Sequence, residues 1–166
     1  MTKALSVNYT DTAISGVTSL NFTRGLVNFG ADFKVKSDEP GEVILTNLTS
    51  PVVYPEKMRI SASDVANVYT GSSIEPSLYA PTKRGTSLLV QLTEIWKVTD
   101  TAVPEMEIAL PVSAHIVIKV PNHELVTPAA VETLVGRLIS GLYETGSTNS
   151  KRLTALLRGS LKPSDI

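Results

Sequence analysis

The sequence predicts an α+β protein: an antiparallel sheet followed by two C-terminal α-helices. Three observations carry this. Residues 106–121 alternate, with Met106, Ile108, Leu110, Val112, Ala114, Ile116, Ile118 and Val120 on one face; Glu107, Ser113, His115 and Lys119 take the other, among Ala109, Pro111 and Val117. Period two over this length marks a strand with one dry face and one open face. Beyond it the period becomes helical, Val131, Leu134, Val135, Leu138, Ile139 and Leu142 forming a stripe at i, i+3, i+4 spacing. Upstream, short alternating runs punctuated by Gly and Pro read as strands beside the long one.

In chain order, residues 1–17 read as an N-terminal extension, with ALSVNY (4–9) either a short strand or a loose arm. TSLNFT (18–23) and DFKVK (32–36) read as an N-terminal hairpin around Gly25 and Gly30, and DEPG (38–41) as a turn. EVILTNL (42–48) is the next strand, followed by a connection that Pro51 and Pro55 bracket. Residues 57–69 alternate again: Met58, Ile60 and Ala62 one way, Lys57, Arg59, Ser61 and Ser63 the other. In the loop at 71–85, Pro76 and Pro81 bar central sheet pairing. In residues 86–99, Leu88, Val90, Leu92, Trp96 and Val98 share a face that Glu94 interrupts, opposite Ser87, Gln91, Thr93 and Lys97. The short link at 100–105 makes this strand and the long one a hairpin. That gives about five strands besides the N-terminal hairpin, all within residues 18–121.

The helices occupy residues 127–158. Thr127 caps the first, at 127–144, Pro128 suits its first position, and Glu132 lies near its positive end. GSTNS (146–150) breaks it. A second helix at 149–158 carries Leu153, Leu156 and Leu157 on one side, with Gly159 as its stop. At about three turns it is too short to stand alone in water. So short a pair cannot easily cover a broad sheet, so the sequence predicts a C2 dimer in which each copy lays its helices over the other's strands.

Composition bounds the function. A chain of 166 residues suits a single domain, 1–166, with a real core. A net charge of -1 excludes a generally basic nucleic-acid binder but leaves room for a basic patch on one face. With no cysteine there is neither a disulfide nor a thiolate metal site, and no segment approaches the roughly 20 apolar residues of a membrane span. No apolar run of signal-peptide length opens the chain, so the N-x-T triplets at Asn8, Asn21 and Asn47 read as chance in a Thr-rich β protein. Enzyme motifs fail: GRLISG (136–141) has phosphate-loop spacing, but Leu142 and Tyr143 stand where Lys and Ser/Thr should follow. H-E-x-x-H, G-x-S-x-G and paired glycosidase acids are missing. His115 lacks metal-ligand partners, His123 lying across the strand end, and reads as a solvent-facing donor. The sequence predicts no enzyme, no metal and no cofactor.

The stretches GEVILTNLTSPVVYPEKMRIS (41–61), ALPVSAHIVIKVP (109–121) and VETLVGRLISGLYETGSTNSKRLTALLRGSLKP (131–163) resemble the coat proteins of single-stranded RNA bacteriophages. The resemblance covers roughly residues 20–163, as pattern and order of elements. It departs from the family in the length of the 71–85 loop and in the N-terminal extension. It implies an interlocked dimer with a continuous ten-stranded sheet, helices outside, and an inner sheet face lining an icosahedral shell around genomic single-stranded RNA. In several members a dimer also binds an RNA hairpin that represses replicase translation. It further implies residence in the virion, and in the bacterial host cytoplasm before assembly, with no membrane partner.

The polar strand positions and this resemblance meet on Lys57, Arg59, Ser61, Ser63, Gln91, Thr93, Ser113, His115 and Lys119, the predicted RNA-binding set. Cations set affinity through phosphates, while hydroxyls, amides and imidazole can hydrogen-bond the splayed bases of single-stranded RNA. Taken without the resemblance, such a face is also what any solvated sheet presents. The alternative function is then a small dimeric binding module whose polar face takes a protein or small ligand.

Overall fold

A computed structural model of the chain describes residues 4–6, 12, 14–21, 27–100 and 107–163, in two compact units. The larger, Val27–His123, is built on an antiparallel sheet in the order β1-β2-β3-β4-β5. Its strands are β1 (Phe33–Glu39), β2 (Glu42–Asn47), β3 (Lys57–Val65), β4 (Gly85–Thr99) and β5 (Glu107–Pro121). One helical turn, α1 (Phe29–Asp32), precedes β1, with the Asn28 side chain accepting from Ala31 N at 3.2 Å.

Turn chemistry sets this meander. Pro40 and Gly41 join β1 to β2, and Gly41 sits at φ 85, where a Cβ would lie 3.0 Å from Ala62 O. A bulge between Val35 and Ser37 bends β1. The β4–β5 ladder is unbroken from Gly85↔Pro121 to Thr99↔Glu107. Of the expected link at 100–105, residues 101–105 lie outside the described residues, as does Met106, the first residue of the expected long strand.

Two strand expectations need correction. Residues 18–21 form no strand, and 22–26 lie outside the described residues. The first hairpin instead joins β1 to β2, because the Pro40–Gly41 turn brings two alternating runs into direct register. The strand expected over 57–69 stops at Val65. Val68 N turns to donate to Lys83 O at 2.9 Å, and the Tyr69 ring stacks on Tyr79 with centroids 3.9 Å apart. Tyr69 is thus a packing residue.

The second unit joins the N-terminal segment to the chain after His123. It contains α2 (Pro128–Ser140) and α3 (Leu153–Leu157). Thr127 caps α2, its hydroxyl accepting from Ala130 N at 3.3 Å. Helix α2 ends four residues before the expected boundary, and α3 is half its expected length. Residues 142–152 close into a small reverse loop instead: Tyr143 pairs with Lys151, Glu144 N donates to Ser150 O, and Arg152 N donates to Leu142 O. Ser147 Oγ accepts from Asn149 N and Ser150 N, holding those residues out of a helix. Gly159, at φ 83, ends α3: its N–H reaches Leu156 O while Ser160 N reaches Ala155 O. Residues 14–21 belong to this unit. Asn21 N donates to Thr148 O, Asn21 Nδ2 to Asn149 Oδ1, and the buried Tyr143 hydroxyl to Asn21 O at 2.7 Å. Among the described residues, no helix is long and apolar enough to cross a membrane.

Candidate nucleic-acid face and assembly surfaces

Strand alternation decides which side chains share a face, and register decides which are neighbours. Lys57 lies opposite Thr93, which lies opposite Ser113. The next row is Arg59, Gln91 and His115; beyond it come Ser61, Leu89 and Val117, then Ser63, Ser87 and Lys119. All nine predicted residues therefore fall on one sheet face. Leu89 and Val117 interrupt that face with an apolar row.

Two ion pairs occupy part of it. Arg59 Nε donates to Glu42 Oε2 at 2.6 Å, and its Nη2 pairs with the same oxygen. Glu42, on β2 opposite Ser61, is absent from the predicted set because the sequence does not reveal the β2–β3 register. Lys97 Nζ lies 2.9 Å from Glu107 Oε2 and 5.2 Å from the centre of the Tyr54 ring. Hydrogen bonds from Lys97 and Tyr54 hold the Glu107 carboxyl below its ordinary range. The same carboxylate raises the Lys97 ammonium and the Tyr54 phenol. Lys57 and Lys119 form no ion pair among the described residues. Lys34, opposite Thr46 and so on the same face, likewise forms no ion pair among the described residues, and these three lysines are the cations there most available to phosphate.

The opposite face is apolar and its formal charges are acidic. It carries Val43, Leu45, Met58, Ile60, Leu88, Val90, Leu92, Trp96, Val98 and the even-numbered aliphatic residues of β5, with Asp38, Asp64 and Glu94 among them. Trp96 Nε1 donates to Glu94 Oε2 at 2.7 Å, giving that carboxylate a polar neighbour. The net charge of -1 thus hides a segregation in which Lys34, Lys57, Arg59, Lys97 and Lys119 lie off the apolar side. Few apolar side chains here are covered within one chain: Met58 is buried, but Trp96 is 54% exposed and Leu110 43%. On the helices, Leu138 is 62% exposed and Leu157 87%.

Among the described residues, no cluster of His, Asp and Glu is placed to hold a metal ion. His115 stands beside Gln91, and His123 lies past the end of β5.

No family model and no curated protein matches the sequence. Among solved structures, the virus-like particle of bacteriophage AVE015 matches with a TM-score of 0.86 and 31% identity, over 99% of this chain and 100% of that one. The chain belongs to the bacteriophage coat-protein family. The virus-like particle of bacteriophage GQ-112 has the same fold at 17% identity, with a TM-score of 0.78 over 96% of this chain and 97% of that one. Membership carries a capsid role and a place in the virion.

Proposed function

We propose that this chain is the shell-forming coat protein of a single-stranded RNA bacteriophage, acting as a homodimer that encloses the genome. The observation carrying the proposal is the uncovered apolar side of the sheet, set back to back with the hydroxyl- and lysine-bearing side. An exposed apolar patch of this extent marks a protein interface. The sheet edges favour a particular pairing. β1 is short, bulged and carries Lys34, Lys36 and Asp38, features that discourage strand addition. β5 runs 15 residues, and no other strand of the described sheet flanks its outer edge. Two β5 strands meeting about a two-fold axis would give a ten-stranded sheet. The exposed leucines of α2 and α3 would then cover the partner's apolar face.

The polar side faces RNA in this reading. Lys57, Lys119 and Arg59 supply phosphate contacts, while Ser61, Ser63, Gln91, Thr93, Ser113 and His115 offer hydrogen bonds to bases and sugars. Symmetry doubles the patch, and the unpaired loop of an RNA hairpin is the ligand it suits. Dimers form in the bacterial host cytoplasm and then close into an icosahedral shell. The role is structural, and no catalytic step belongs to it.

Recombinant expression tests this directly. Electron microscopy should show closed particles, and their ultraviolet spectrum should show nucleic acid. A folded, monodisperse monomer would overturn the proposal. Lys57→Ala combined with Lys119→Ala should lower packaged RNA while dimers persist; unchanged RNA content would move the genome off this face.

A further inference from the structure

The connection between β2 and β3, residues 48–56, ends in two aliphatic side chains in open solvent, with Val52 95% exposed and Val53 76%. The loop that carries them is fastened. Asn47 Oδ1 accepts from both Thr49 N and Thr49 Oγ1 at 2.8 Å. Ser50 Oγ donates to Asn47 O at 2.6 Å and accepts from Glu56 N at 3.0 Å. Tyr54 N closes the tip onto Pro51 O at 3.0 Å, and the Tyr54 ring is pinned by Lys97. A tip held this firmly loses little conformational freedom when it is covered. Because Lys97 is on the polar side of the sheet, the loop does not belong to the apolar face assigned to the dimer contact.

We infer that Val52 and Val53 join neighbouring dimers, tip against tip, in the assembled shell. The occupant is a further copy of this chain. Residues 48–55, LTSPVVYP, contain no charged side chain, so identical tips can converge on a symmetry axis without repulsion. RNA is a poor occupant, because this stretch has no cation for phosphate and its outermost side chains cannot stack on bases. The inference rests on the shell reading and adds to it the place where dimers touch.

The test uses full-length protein. Val52→Asp with Val53→Asp should leave dimers of normal size and circular dichroism, but particle yield should fall at least tenfold. Normal particle yield from this variant would overturn the inference, whether or not its RNA content changed. Since the chain has no cysteine, a Val52→Cys variant reports only contact between identical tips. In particles, a short bis-maleimide should link chains of different dimers. Intact particles without links, or links formed equally well in unassembled dimers, would overturn it. Failure of the wild-type protein to form particles would instead sink the shell reading, so the two failures are distinguishable.

Discussion

A methyl group at position 85 has no room. The Cβ of an alanine there would fall 2.3 Å from Val68 Cγ1 and 2.5 Å from Val120 O, and the backbone oxygen cannot rotate away. Gly85→Ala should therefore cost about 1–3 kcal/mol, as overpacking does, read as a lower urea midpoint. Charge pairs act locally too. Glu42 holds Arg59, so on the proposed RNA face Glu42→Gln would free that guanidinium for phosphate and should raise the RNA retained after a salt wash; unchanged retention would remove Arg59 from the contact set. The Lys97–Glu107–Tyr54 cluster carries a pH dependence. Glu107 has its folded pKa depressed below 4.5, so its contribution is present above that value and lost as pH falls through the folded pKa. Lys97, raised above 10.5, contributes fully below that value and loses its contribution as pH rises through the folded pKa. Hydrogen exchange at the Tyr54 amide, which donates to Pro51 O, should therefore be slowed near neutrality and quicken well below pH 4.5 relative to the intrinsic rate.

At the scale of elements, legibility followed the length of the periodic signal. β4, β5 and α2 could be read because each repeats one period over many residues, and their faces came out as alternation requires. Helix α3 could not be sized, because Leu153, Leu156 and Leu157 keep helical spacing while Asn149 and Ser150 are claimed by Ser147 and by the Tyr143–Lys151 pairing. Such competition is settled by contacts that a local pattern does not contain. The same holds for residues 18–21, whose Asn21 bonds to Thr148 and Asn149 rather than to a strand. Tyr143→Phe removes the bond to Asn21 O and should cost about 1 kcal/mol. Limited proteolysis should then cut near residues 14–21 sooner. Arg152 bridges Gly141 O and Leu161 O, tying the end of α2 to the chain beyond α3.

At the scale of the molecule, alternation revealed two unlike sheet faces, but register was needed to assemble the rows across them. That is why the nine polar residues were legible as a face while Glu42, which occupies Arg59, was not. In the proposed dimer, the unlike faces also give the C-terminal helices their task. Leu134 and Leu138 on α2, like Trp96 and Val98 on β4, remain exposed in a single chain. Each set is an apolar surface without enough cover, and a two-fold partner can satisfy both at once. Ending the chain before Thr127 removes one set and strands the other. The truncated protein should collect in the pellet on expression, with the soluble fraction binding a hydrophobic dye, whereas the full chain should stay soluble and associated. A soluble, folded truncate at monomer size in sedimentation would mean that the sheet needs no partner's helices, and the shared-core dimer would have to be abandoned.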